Sequence, residues 1–280
     1  MRIIIPNLKN LERLKSNIKK TGFSGLHILA DFDKTLTYGV VNGVKTPSII
    51  SMLRDGNHLT KDYAVKAQAL FDKYHLIEID PNVPIEKKKK LMQEWWEKHY
   101  ELLIKSKLNI LDIEDIVKHG HVKFRKEMPE FLDFLHHYDI PLVVLSASGC
   151  GEAIHLYFEK IGKNYPNIHY IINRFNWDGN GFALSIKSPI IHSMNKDDTM
   201  LKEFTNIFES VKNRKNVILL GDNVSDLEMI KGFSYDNLLK IGFLNIDSEK
   251  NRNEYEQNFD VVLEGDSDIN FINLLIKDLG

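Results

Sequence analysis

The 280-residue sequence holds one cysteine, Cys150, which leaves neither an intrachain disulfide nor a multi-cysteine zinc site open to it and suits a reducing compartment. No apolar run approaches the roughly 18 residues that a membrane span needs. Ile3-Ile4-Ile5 before Pro6 is likewise too short for the apolar centre of a signal peptide, so a cytoplasmic protein with no membrane partner is expected. Charge of one sign is also scarce: 37 Lys plus Arg against 39 Asp plus Glu leaves a net charge of −2, which disfavours a nucleic-acid polymer as partner. Repeats and low-complexity tracts are missing, and 16 glycines with 8 prolines are too few for a collagen-like or linker-rich chain. What remains, 43% hydrophobic and 27% charged, is a globular composition. Its length fits one large domain or a domain carrying an insert, and a monomer is expected.

Six short runs rich in β-branched residues recur at 27–30, 140–145, 168–172, 217–220, 241–244 and 261–263, each followed by helical periodicity. They are apolar on both alternating faces, which predicts an α/β fold with a parallel sheet covered by helices on both sides. More than a hundred residues separate the first run from the second, far beyond a simple crossover. Within that gap the spacing of Ala64, Ala67, Leu70 and Phe71, and of Leu91, Met92, Trp95 and Trp96, predicts helices interrupted at Pro81 to Pro84. The division expected is an α/β core of residues 1–45 and 125–280 and a helical cap of residues 46–124. Pro129 should open the helix that returns to the core, and Trp177-Asp178-Gly179-Asn180-Gly181-Phe182 reads as a hairpin turn. Lys87 to Lys90 read as a solvated helix face, and His119 and His121 as a surface loop.

The chemistry concentrates where predicted strands end. Ligands of open parallel sheets bind outside the carboxyl ends of the strands, and the first run ends in Asp31-Phe32-Asp33-Lys34-Thr35-Leu36-Thr37. A carboxylate is ionised at neutral pH and needs no base to act as a nucleophile, so Asp31 is the candidate to attack phosphorus and form an aspartyl phosphate. Asp33 would protonate the departing alkoxide and then deprotonate the hydrolytic water. After the fourth run comes Gly221-Asp222-Asn223-Val224-Ser225-Asp226. A phosphate dianion approaches an anionic nucleophile only when a cation neutralises the pair, which makes Asp222 a candidate Mg²⁺ ligand beside Asp31. Asp226, one turn on, would anchor coordinated water or orient Lys196. Ser146-Ala147-Ser148-Gly149-Cys150-Gly151 supplies a hydroxyl and a glycine-rich turn opening a helix, a site for an anion. Lys196 offers a compact positive charge for transition-state oxygens. Each motif alone is common in loops; the four in this order at strand ends form one constellation.

The order D-F-D-K-T-L-T, S-A, a lone Lys and G-D-N-x-x-D resembles the haloacid dehalogenase superfamily of phosphohydrolases. More narrowly, the chain is similar to the cytosolic 5′-nucleotidase III, or pyrimidine 5′-nucleotidase, family. That likeness rests on Tyr74 to Pro81, Glu94-Trp95, Asn195-Lys196-x-Asp198, Ile218 to Asp222 and Leu239 to Asn245. It implies a Rossmann-like core with a helical cap, Mg²⁺ dependence, and hydrolysis of nucleoside 5′-monophosphates, here of pyrimidines, to nucleoside and phosphate. By the same resemblance Asp31 is nucleophile and metal ligand. Asp33 is proton donor and binds metal through its backbone carbonyl, and Asp222 is the third ligand. Ser146, Ala147 and Lys196 then take the substrate phosphate, Glu78 contacts the nucleotide from the cap, and Thr35 and Asp226 support the site.

The sequence departs from the family pattern in several places. Ser146-Ala147-Ser148-Gly149 has one residue more than the usual Ser-Ala-Gly, so Ser148 is expected to share the phosphate with Ser146. His99 falls where a small hydroxyl residue touches substrate. Tyr38-Gly39 replaces Arg-Phe, and the segment through Leu53 lacks the usual side chains. These changes leave catalysis in place and bear on base preference. Read from residues alone, Glu78 is a salt-bridge former, and Trp95 and Trp96 cannot both face the core from adjacent positions, so one packs there and the other is open to stacking on a base. Other small phosphate monoesters, phosphoryl transfer to a nucleoside, and non-catalytic nucleotide binding are the competing functions.

Overall fold

The computed structural model describes residues 2–56, 58–196, 204–231, 233–246 and 249–280. All six expected runs are strands: β2 (Leu26–Ala30), β5 (Leu142–Ser146), β6 (Ile168–Ile172), β9 (Asn216–Gly221), β10 (Asn237–Leu244) and β11 (Val261–Glu264). A seventh, β1 (Arg2–Ile4), completes the sheet, whose order among the described residues is β1-β11-β10-β9-β2-β5-β6. Every neighbouring pair is parallel except β1 with β11. The sheet is buried on both faces, as the doubly apolar strands require. Leu26, Ile28, Leu142 and Val144 enter the larger core, while Leu29, Val143, Leu145 and Leu219 enter the core on the other face.

Chain order fixes the crevice. From β2 the connections run one way to β5 and β6 and the other way to β9, β10 and β11. The carboxyl end of β2 is therefore the topological switch point, the place where an open α/β sheet leaves room for a ligand.

The surrounding helices follow local rules. In α1 (Leu8–Lys19) Asn7 accepts from the Asn10 amide as N-cap, and Leu11, Leu14 and Ile18 form the buried stripe. α6 (Met128–His137) carries Pro129 in its first turn, as expected, and α7 (Glu152–Lys160) follows β5. β7 (Phe175–Trp177) and β8 (Ala183–Ile186) form the expected hairpin. α8 (Thr205–Val211) precedes β9, α9 (Glu249–Asn258) joins β10 to β11, and α10 (Asn270–Asp278) ends the chain.

Between β2 and α6 lies, among the described residues, a two-stranded ribbon, β3 (Val40–Val41) and β4 (Val44–Lys45), followed by four helices. These are α2 (Ile49–Asp55), α3 (Tyr63–Ile79), α4 (Ile85–Lys105) and α5 (Ile110–His119). The Pro81 to Pro84 break separates α3 from α4, which pack together through Tyr74 on Trp95, rings 5.8 Å apart, and through Tyr63 on His99. The lysine run departs from its expected solvated face. Lys88 is buried and donates to the carbonyl of Glu78 at 2.8 Å, satisfying a carbonyl in the last turn of α3. His119 is exposed and pairs with Asp115 at 2.9 Å on the same helix, and Cys150 is buried in the core.

Candidate active site

A cavity of about 410 Å³ opens at the switch point, between the sheet and the helices α2, α3 and α4. Its floor comes from three strand ends. β2 delivers Asp31, Asp33 and Lys34; β5 delivers Ser146, Ala147, Ser148 and Gly149; β9 delivers Asp222, Asn223, Ser225 and Asp226. Lys196 reaches in from the segment that follows β8, and Glu78, Trp95, Trp96 and His99 face it from the helices. Of the site residues expected from sequence, Thr35 alone does not line the cavity. It is fully buried beneath, with its carbonyl accepting from Arg125 at 2.7 Å.

Lys196 is the electrostatic centre. Its Nζ donates to Asp31 Oδ1 at 2.5 Å and to Asp226 Oδ1 at 3.1 Å, and all three groups are buried. The other Asp226 oxygen accepts from the amides of Asp222 and Asn223 at 3.1 and 3.0 Å. Asp226 thus closes the turn after β9, orients the lysine, and spends both oxygens on those tasks.

Asp31, Asp222 and Asp226 bring carboxylate oxygens within 4.8 Å of one another. Such crowding shifts their protonation. Burial pushes the Asp31 carboxyl well up, Lys196 opposes the shift, and Asp226, Asp222 and Asp33 add to it. Burial and then Asp226 push Asp222 up to about 7, and burial also raises Asp33. Two neighbouring carboxylates hold the Lys196 ammonium charged against its own desolvation. Four acids around one buried lysine leave an excess of negative charge in a dry place, and oxygen-only donors are the set a hard divalent cation takes. The residues fit a metal, with Asp31 and Asp222 as the carboxylates left free to hold it.

The loop of residues 146–149 is held from below. Ser148 donates its amide to Ser146 Oγ at 3.1 Å, and buried Asn173 donates to the Ser148 carbonyl at 3.1 Å and to the Ile191 carbonyl at 2.9 Å. Gly149 admits no side chain: a Cβ there would lie 2.5 Å from Ile50 Cγ1 and 2.7 Å from Trp96 Cζ3. The loop after β2 is fixed by Arg125. Its buried guanidinium donates to the carbonyls of Lys34, Thr35 and Ser267 and to Asn245 and Asp266, and it lies 4.0 Å from the Phe243 ring centre.

On the helical wall, Glu78 Oε1 accepts from Ser193 Oγ at 2.6 Å and Oε2 lies 3.1 Å from His75 Nδ1. His99 Nε2 lies 3.1 Å from the Tyr63 hydroxyl, and burial lowers its pKa to about 4, so the ring is neutral. The tryptophans do not divide as expected. Adjacent on α4, Trp95 and Trp96 stack on each other at 5.9 Å and both reach the cavity, because each indole is wide enough to flank it while its other side packs.

Sequence reasoning missed Arg54, Ser48, Ser51 and Phe71 on this wall, and Ser193, Asn173 and Arg125 around the floor. Ser48, an N-cap before an apolar run, and Phe71, in a helical apolar spacing, carried local signals, and both pointed to helices rather than to a site.

The profile of the family described as "Pyrimidine 5'-nucleotidase (UMPH-1)" matches residues 34–279. A chicken protein (Gallus gallus) named "7-methylguanosine phosphate-specific 5'-nucleotidase" is 36% identical over 261 residues, 93% of this chain and 90% of that protein. The crystal structure of cytosolic 5'-nucleotidase IIIB bound to cytidine superposes with a TM-score of 0.88 at 27% identity, covering 99% of this chain and 93% of that one. A phosphoserine phosphatase caught as a phospho-aspartyl intermediate analogue gives a TM-score of 0.50 at 18% identity over 89% and 97%, a likeness of fold.

Proposed function

The chain belongs to the pyrimidine 5'-nucleotidase (UMPH-1) family, and from that membership we propose that it is a Mg²⁺-dependent phosphohydrolase of nucleoside 5′-monophosphates, cytoplasmic and monomeric, working through an aspartyl phosphate. Residues 46–124 act as the cap and residues 1–45 and 125–280 as the catalytic core. The observation that carries the reading is the meeting of Asp31, Asp33, Ser146, Lys196 and Asp222 in one cavity at the switch point. A solvated-loop origin for these motifs would scatter them.

Asp31 attacks phosphorus in line with the bond to the 5′ oxygen. As that bond breaks, Asp33 gives its proton to the leaving alkoxide; burial raises its pKa, the direction an acid needs. Water then attacks phosphorus, Asp33 takes back a proton, and the bond to Asp31 breaks to release phosphate. Lys196 favours the ionised form of Asp31 against the burial that raises its pKa and balances the phosphoryl oxygens, while Ser146, Ser148 and the amides of the 146–149 loop receive the others. A Mg²⁺ held by Asp31, Asp222 and the backbone carbonyl of Asp33 would supply positive charge against the dianion.

The helical wall sets the base. The expected substrate is a pyrimidine nucleotide, its ring lying against the indoles and Glu78 accepting from its edge. A second reading, 7-methylguanosine monophosphate, is favoured by the relative's name and by a carboxylate set among aromatic rings, an arrangement that suits a cationic base. One experiment tests both levels: phosphate release from CMP, UMP, 7-methyl-GMP, AMP, GMP, sugar phosphates and phosphoserine with Mg²⁺ or EDTA, for the wild type and Asp31→Asn. The wild type should release phosphate only with metal, and Asp31→Asn should lose at least about 10³-fold in kcat. Turnover of that variant within a few-fold of wild type removes Asp31 as nucleophile. Faster release from sugar phosphates or phosphoserine removes the nucleotide.

A further inference from the structure

Ser193 belongs to no catalytic motif, yet it makes a direct hydrogen bond between the helical wall and the loop that carries Lys196. Its hydroxyl donates to Glu78 Oε1 at 2.6 Å across 115 positions of sequence, and it stands three residues before the lysine. The next residue, Met194, packs against the cluster of Tyr74, Met92 and Trp95 on α3 and α4. At the core end the same loop is pinned. The His192 amide donates to Asn195 Oδ1 at 2.7 Å, Asn195 Nδ2 donates to the Ile190 carbonyl at 2.8 Å, and the Ile191 amide donates to Asn173 Oδ1 at 2.8 Å. The segment from Ile190 to Lys196 is therefore a short, internally bonded strut with the helical wall at its middle and the nucleophile at its end.

We propose that Ser193 is a positioning residue that ties seating of the helical wall to placement of Lys196, with Glu78 as the contact point. The inference rests on the reading above, in which Glu78 faces the base and Lys196 serves the phosphoryl oxygens. When α3 is seated, the Glu78 carboxylate holds Ser193 and the strut sets the ammonium against Asp31 and Asp226. When α3 moves off, that bond and the Met194 contact are lost together and the lysine is held from the core side alone. A base bound at Glu78 and the lysine below it then act through one carboxylate, so recognition at the wall reaches the chemistry as a change in kcat.

The test is a double-mutant cycle of Ser193→Ala and Glu78→Gln, with Ser193→Thr as the conservative variant, read as kcat and KM on the best nucleotide and on p-nitrophenyl phosphate. Ser193→Ala should lower kcat about tenfold, the worth of one hydrogen bond to a carboxylate, with KM for p-nitrophenyl phosphate moving less than about twofold. Ser193→Thr should restore most of kcat. The double variant should have the kcat of the worse single variant, because both break one bond. Multiplicative losses in the cycle, or Ser193→Ala with wild-type kcat on both substrates, overturns the inference. A melting-temperature change without a change in kcat assigns Ser193 a merely structural role and overturns it equally. Failure of the nucleotide reading shows separately, as a wild type that hydrolyses p-nitrophenyl phosphate and releases nothing from nucleotides; the cycle on p-nitrophenyl phosphate then still decides the coupling.

Discussion

Two histidines show how the same physics separates structure from function at the scale of one side chain. His27, in the middle of the sheet, places Nδ1 2.9 Å from the Arg214 carbonyl, and its Nε2 is buried with no partner among the described residues. Burial lowers its pKa to about 4; the bond to the Arg214 carbonyl opposes the shift, and the charges of Arg214 and Lys215 press in the same direction as burial. The folded form therefore refuses a proton that the unfolded chain takes up near pH 6.5. Between about 6.5 and about 4 the unfolded state binds more protons, so stability is fully present above that window and declines as pH falls through it, by about 3 kcal/mol at most. His27→Gln should show a shallower decline of the urea midpoint between pH 7.5 and 4.5 than the wild type. Parallel curves would mean that His27 carries no part of the acid sensitivity. His99 has the same lowered pKa but lines the cavity and bonds Tyr63, so its neutral ring is placed to contact a ligand.

Elements decide how the site is assembled, and they also explain what was legible in advance. The strands were readable because burial on both faces makes each an unbroken apolar run, and the floor residues followed because ligands lie at such strand ends. β1 was not readable, since three residues just before Pro6 are too few to carry a period and gain their pairing only from β11. Asp31, Asp33, Ser146 and Asp222 are each set by the strand that precedes them. Arg54, Phe71, Ser193 and Arg125 reach their places through tertiary packing, which no local spacing encodes. Lys88 shows the same limit: its neighbours made it look solvated, and the end of α3 buried it. Gly149 is the point where α2 and α4 sit directly on the 146–149 loop. A methyl group there has no space between Ile50 and Trp96, so Gly149→Ala should hold the helical wall away from the floor. The expected result is a fall in kcat/KM of about 10- to 100-fold with far-ultraviolet circular dichroism unchanged. Restoration by the further change Ile50→Ala would identify the clash; a fully active Gly149→Ala would show that the wall does not need this contact.

The whole molecule carries a net charge of only −2, yet it gathers Asp31, Asp33, Asp222 and Asp226 around the buried Lys196. A carboxyl whose folded pKa is raised costs stability once pH passes its unfolded value, and the cost is complete above the folded value. Asp222, raised to about 7 by burial and by Asp226, is in that condition at pH 8 without metal. Asp222→Asn removes that charge while keeping the shape of the side chain, so the metal-free variant should melt higher than the metal-free wild type, by roughly 5 °C. Adding Mg²⁺ should reverse the order. A cation that binds only the folded form raises the melting temperature by mass action, and the wild type holds two free carboxylates for it where the variant holds one. The measurement is thermal unfolding of both proteins at pH 8 in EDTA and in 10 mM (about, a saturating level) Mg²⁺. Crossing of the two pairs of melting temperatures is the expected result. A variant that melts lower than wild type in EDTA would mean that the acidic cluster stabilises the fold by itself, and the excess buried charge would then have no bearing on metal affinity.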